Sequence, residues 1–125
     1  MRGVFSADGS LDSVAERHDW RHVCDRNSFC DALAAQPYDF LFSIDNGWIL
    51  PPEVLATPQR LAVNFHDAPL PAYAGLHATS WALIGGELSH GITWHEIERG
   101  IDSGRILEQR VVPITDDDTD RKSVV

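Results

Sequence analysis

No apolar run in the chain approaches the roughly 20 residues that cross a bilayer, and no charged-then-apolar segment opens it. Both absences predict a cytoplasmic protein with no membrane partner. Positive charge is scarce: ten Lys and Arg stand against nineteen Asp and Glu, a formal net charge of −9. Nucleic-acid affinity rests on basic groups that neutralise phosphates, so any contact with RNA would need help from elsewhere. Cysteine is scarcer still. Cys24 and Cys30 stand six apart in a stretch that reads as helical, which fits neither the close pairs of zinc sites nor a secreted disulfide framework; two reduced thiols are expected.

Several short signatures are missing as well. "GELSHG" and "GIDSG" provide neither the spacing of a dinucleotide fingerprint nor a phosphate-cradling loop with Lys. Ser103 holds the fourth place of "GIDSG" and not the third, so it is no nucleophile elbow. Asp116, Asp117, Asp118 and Asp120 lack the Gly and Glu of a calcium loop and read as a solvated turn. His66, Asp67, His77, His90 and His95 could be drawn into a metal set, but no two of these histidines have the i, i+4 spacing of a zinc-binding helix, and no metal is expected.

At 125 residues the chain has room for one core, and a single domain over 1–125 is expected. Strand-like and helix-like runs alternate along it. "GVFS" is a short β-rich run, followed by a helix around Val14 and Ala15 that Asp12 or Ser13 would cap. In "SFCDALAAQPYD", Ser28 can cap, Phe29, Ala32 and Leu33 form an apolar stripe, and Pro37 ends the helix. "YDFLFSI" is almost continuously apolar, as suits a parallel strand covered on both faces. "PPEVLATP" is a short helix and "RLAVNFH" the next strand. "ATSWALIGGE" reads as a helix opened at Thr79 or Ser80 and stopped in a left-handed turn at Gly85 and Gly86. "GITWHEI" and "RILEQRVVPI" are strands joined by the tight loop "GIDSG". The alternation predicts an α/β sheet with crossover helices.

Chemistry gathers at the end of "LAVNFH". Side chains alternate across a strand, so Ala62, Asn64 and His66 share one face and Leu61, Val63 and Phe65 the other. Asn64 and His66 stand at the strand's carboxyl end, outside which the ligand crevice of an open α/β sheet lies. In "TWHEI", Thr93, His95 and Ile97 share a face, and Asp102 follows in a loop framed by Gly100 and Gly104, which can be approached closely. An amide, an imidazole and a carboxylate at one crevice suit acyl transfer. Asn64 would donate to an oxyanion, His66 would donate again or shuttle a proton, and Asp102 would relay it. The same polar groups could instead merely satisfy loop backbone.

The stretch "NFHDAPLPAYAG…WALIGGE…GITWHEIERGIDSGRI", within residues 38–114, resembles the catalytic domain of formyltransferases that use 10-formyltetrahydrofolate. Asn-x-His, a Leu-Pro and Gly, Trp-Ala-Leu, Gly-x-Thr-x-His and Asp-Ser-Gly occur in the family's order. The resemblance implies a Rossmann-like three-layer α/β fold with a mainly parallel sheet. It implies Asn64, His66 and Asp102 as catalytic residues, His95 as a cofactor-side pocket residue, and Trp48, Ile49 and Leu50 of "SIDNGWILP" along the folate's pterin side. It also implies formyl transfer to an acceptor amine, such as an aminoacyl group on tRNA, a sugar-nucleotide amine or a carrier-protein-bound amino acid. Two alternatives accompany it: a formyltetrahydrofolate hydrolase, with water in place of the amine, and an inactive, truncated folate-binding module.

Two departures from the family pattern stand out. Asp67, Ala68 and Pro69 occupy the place where Ser-Leu usually precedes Leu-Pro, which brings the segment nearest to formylating domains of peptide synthetases. Family members also begin with a strand, a glycine turn and a helix ahead of the strand that "RGVFS" resembles. The chain is therefore expected to be a partial domain lacking the first strand.

Overall fold

In the computed structural model, which describes residues 3–6 and 10–119, strands and helices alternate in chain order. They are β1 (Gly3–Phe5), α1 (Asp12–His18), β2 (Arg21–Val23), α2 (Arg26–Ala35), β3 (Phe40–Ile44), α3 (Pro52–Leu55), β4 (Leu61–His66), α4 (Ala78–Ile84), β5 (Ser89–Glu96) and β6 (Ile106–Pro113). Contacts group into two compact units, Met1–Asp39 with Leu50–Arg60, and Phe40–Ile49 with Leu61–Val125. Asp120 of the acidic run lies outside the described residues. Among the described residues no helix is long and apolar enough to cross a membrane.

In the first unit β1 and β2 pair in parallel, Val4 opposite His22, with α1 as the crossover. The three residues of β2, two of them Arg and His, give too short and polar a run to announce a strand. Ala15, Val23, Ala32 and Leu33 are buried, and the rings of Phe5 and Phe29 meet at a tilt with their centroids 5.0 Å apart. Both expected caps are displaced. α1 starts from Leu11 with no side-chain cap, because Asp12 turns its carboxylate to His22. α2 is capped by Asp25, whose Oδ1 accepts from the Ser28 N–H at 2.8 Å, which puts Ser28 at the third helical position. Ser28's hydroxyl first, and its backbone N–H second, hold the Asp25 carboxyl below the ordinary aspartate value.

The second unit is a four-stranded sheet in the order β3-β4-β5-β6. β3 and β4 run parallel, whereas β4–β5 and the β5–β6 hairpin are antiparallel. β3 departs from the expectation of cover on both faces. Leu41 and Ser43 are buried, while Phe40, Phe42 and Ile44 are 43%, 58% and 57% exposed, Phe42 leaning edge-on to Trp94. An unbroken apolar run cannot distinguish a strand covered twice from one covered once. α4 opens at Ala78 after His77 in a left-handed turn, one residue ahead of Thr79. It closes as expected at the glycine pair: Gly86 sits at φ +68°, Glu87 N–H donates to Ala82 C=O and Gly86 N–H to Leu83 C=O.

Candidate active site

The register of the sheet sets Asn64 of β4 opposite His95 of β5, and His66 opposite Thr93. Asn64 Nδ2 lies 3.2 Å from His95 Nε2. His95 Nδ1 donates to the Glu96 carbonyl at 2.8 Å, so in the neutral ring Nε2 carries the lone pair and accepts from Asn64. One amide N–H of Asn64 is thereby spent on orientation.

Asp102 joins the pair from the loop that connects β5 and β6. Its Oδ1 lies 3.5 Å from His95 Nε2 and its Oδ2 lies 3.6 Å from His66 Nδ1. Oδ2 also accepts from the Gly75 N–H at 2.8 Å, which pins the carboxylate. Asp102 takes a left-handed φ of +49°. The loop tolerates no side chain at Gly104, where a Cβ would fall 1.8 Å from the Glu96 carbonyl oxygen. The close approach expected of the framing glycines is thus realised at Gly104.

His66 completes the circuit. Its Nε2 donates to the Tyr73 carbonyl at 2.9 Å, leaving Nδ1 to face Asp102 and, at 3.9 Å, Asp67 Oδ1. The side chains of His66, His95 and Asp102 are 8%, 3% and 11% exposed, so water screens the Asp102 carboxylate poorly. Asn64, His66, His95 and Asp102 therefore meet, as the sequence predicted, in a chain of polar contacts from the Asn64 amide to the Tyr73 carbonyl.

The segment between β4 and α4 brings backbone groups to the site and is itself held by side chains of the sheet. Thr93, fully buried, donates its hydroxyl to the Ala68 carbonyl at 2.6 Å and accepts from the Leu70 N–H at 3.2 Å. Gln109 donates to both Leu70 C=O and Thr93 Oγ1, and His90 Nε2 donates to Asp67 C=O at 2.6 Å. These three side chains grip the segment that carries the Tyr73 carbonyl and the Gly75 N–H to the site. Tyr73 donates its phenol to Glu87 Oε1 at 2.7 Å, and that hydrogen bond first holds the phenol above the ordinary tyrosine value.

Trp48 and Ile49 lie in the same unit as the polar chain, and Leu50 in the other. Asn46 folds over the loop, accepting from the Trp48 N–H and donating to its carbonyl. Ile49 is 78% exposed and Leu50 is buried. Among the described residues, the group whose three ligand atoms fall within 4.8 Å of one another is Asp12, His22 and Cys24, none of which belongs to the set drawn from the sequence.

The family model described as formyl transferase matches residues 9–123. A methionyl-tRNA formyltransferase from Thermodesulfovibrio yellowstonii is 37% identical over 92 residues, covering 74% of this chain and 30% of that protein. The chain thus spans about a third of the length of such relatives or less. Among solved structures, phosphoribosylglycinamide formyltransferase from Streptococcus pneumoniae TIGR4 superposes with a TM-score of 0.79 at 26% identity, over 98% of this chain and 76% of that one. WlaRD, a sugar 3N-formyl transferase solved in the presence of dTDP and 5-N-formyl-THF, superposes with a TM-score of 0.71 at 28% identity, over 91% and 39%.

Proposed function

Because this chain belongs to the formyl transferase family and carries its Rossmann-like α/β fold, we propose that it serves transfer of a formyl group from 10-formyltetrahydrofolate to an acceptor amine. Asn64, His66 and Asp102 are the catalytic groups in this reading, and residues 1–125 form part of the catalytic domain. The observation that carries it is the position of Asp102, its two oxygens 3.5 and 3.6 Å from the rings of His95 and His66 while Gly75 pins it from behind.

The amine nitrogen attacks the formyl carbon, a C–N bond forms, and the carbonyl oxygen becomes an oxyanion. The amide N–H that Asn64 does not spend on His95 is the donor for that oxygen, and His66 is the second when its ring is the imidazolium, with Nε2–H on the Tyr73 carbonyl and Nδ1–H turned to the oxyanion. Collapse then breaks the bond to the folate nitrogen. The proton lost by the amine passes through Asp102, directly or by one water, to that departing nitrogen. His95 positions Asn64. By the family resemblance, Trp48 and Ile49 serve the pterin side with His95, and a tRNA-borne, sugar-nucleotide or carrier-bound amine is the acceptor.

Formyl transfer by Asn64→Ala and His66→Ala is expected to fall at least ~100-fold, the usual result of removing one oxyanion donor, with the circular dichroism spectrum unchanged. Near-normal transfer by either variant would remove the assignment. Formate released with no acceptor present would mark a hydrolase, and binding of a folate analogue without either reaction would mark a binding module.

A further inference from the structure

The first unit holds three side chains that formyl transfer does not use. Asp12 is the first residue of α1, His22 is the central residue of β2, and Cys24 follows that strand directly. Asp12 Oδ1 is in direct contact with His22 Nδ1, Cys24 Sγ lies 3.7 Å from the same nitrogen, and the three atoms fall within 4.8 Å of one another. The other ring nitrogen, Nε2, lies 3.0 Å from Ser6 Oγ. The His22 side chain is 13% exposed and so is fixed, whereas the Asp12 side chain is 64% exposed and Cys24 opens to solvent.

We propose that Asp12, His22 and Cys24 bind a divalent cation of the zinc class through Oδ1, Nδ1 and Sγ, with solvent in the remaining position. Around such an ion the ligand atoms of a tetrahedron lie roughly 3.3–3.8 Å apart. The sulfur and nitrogen already stand at that separation, and Asp12, on an exposed first helical turn, needs only to draw back slightly. When Nε2–H donates to Ser6, the outer hydrogen bond that orients ligating histidines, Nδ1 keeps its lone pair for the ion, while Sγ, 3.7 Å from Nδ1 and 4.0 Å from Nε2, must swing off the ring to join the carboxylate at the ion. Loading displaces the proton of the thiol. Thiolate, imidazole and carboxylate together favour zinc-class ions over magnesium and calcium.

Cobalt(II) titrated into the full chain under reducing conditions is expected to raise a thiolate-to-metal charge-transfer band, which zinc abolishes and magnesium leaves. Cys24→Ser removes the band, and Cys30→Ser, altering the other thiol, retains it. Ser6→Ala weakens binding by about 10- to 100-fold through loss of the ring's outer partner. A wild-type chain with no band overturns the proposal. So does a band that follows Cys30, or a zinc affinity unmoved by Cys24→Ser in a chain whose circular dichroism is unchanged.

Discussion

Gly104 matters to the site for the side chain it lacks. The Glu96 carbonyl oxygen occupies the space a Cβ would take, and the same oxygen accepts from His95 Nδ1, which fixes the tautomer that receives the Asn64 amide. A methyl group there forces the loop of Asp102 and the end of β5 apart. Gly104→Ala is expected to lower stability by about 1–3 kcal/mol, as overpacking does, and to depress formyl transfer with it. Chemical denaturation alongside the transfer assay checks both effects, and unchanged activity would mean that Glu96 can yield without moving His95. At this scale the letters of the sequence mark Asn64, His66, His95 and Asp102, since each side chain announces its chemistry. The Tyr73 carbonyl and the Gly75 N–H that finish the site are backbone groups, alike in every residue that has them, so only the path of the chain reveals them.

Among the elements, β5 works on both sides of the site. His95 addresses Asn64 while Thr93, two residues earlier on the same face, holds the segment that follows β4. Replacing Thr93 by Val keeps the shape and removes the hydroxyl, which leaves the Leu70 N–H and the Ala68 carbonyl without it. Thr93→Val is expected to cost at least about 1–3 kcal/mol, the penalty for one such buried group, and Thr93→Ser markedly less. Denaturant midpoints of the two variants test this, and equal values would show that water replaces the hydroxyl. α2 offers a pH test. The folded Asp25 carboxyl titrates below its unfolded value, so the stability it confers is present above the unfolded titration range, near pH 4, and is lost as pH falls through the folded value. Asp25→Ala should therefore flatten the wild-type decline in thermal midpoint below about pH 4, and parallel curves would assign that decline elsewhere. The strands β3, β4, β5 and β6 were legible from apolar runs, and the end of α4 from its glycine pair. The caps of α1 and α2 were not, because Asp12, Asp25 and Ser28 are all capable acceptors, and tertiary partners such as His22 decide which is used.

For the molecule as a whole, charge is the property the sequence fixes most directly, and pairing order the one it shows least. Strand alternation predicted an α/β sheet, yet the grouping into β1-β2 and β3-β4-β5-β6 depends on contacts between distant residues that leave no local trace. With nineteen acids against ten bases, the chain by itself should hold tRNA weakly. A plot of log affinity against log salt concentration no steeper than roughly −2 is expected, the signature of about two phosphate contacts. A steep slope with tight retention would reveal a basic track assembled by the fold from scattered Lys and Arg.

The same sheet has a bearing on handling the protein. Among the described residues β3 has one strand neighbour, β4, and its Phe-Leu-Phe-Ser-Ile sequence carries neither charge nor proline while Phe42 and Ile44 face water. Such a margin invites another molecule to add a strand, and growth by repeated addition yields fibrils. Colloidal lifetime in concentrated solution is therefore expected to lengthen when Phe42 is replaced by Lys, a charge that discourages strand addition.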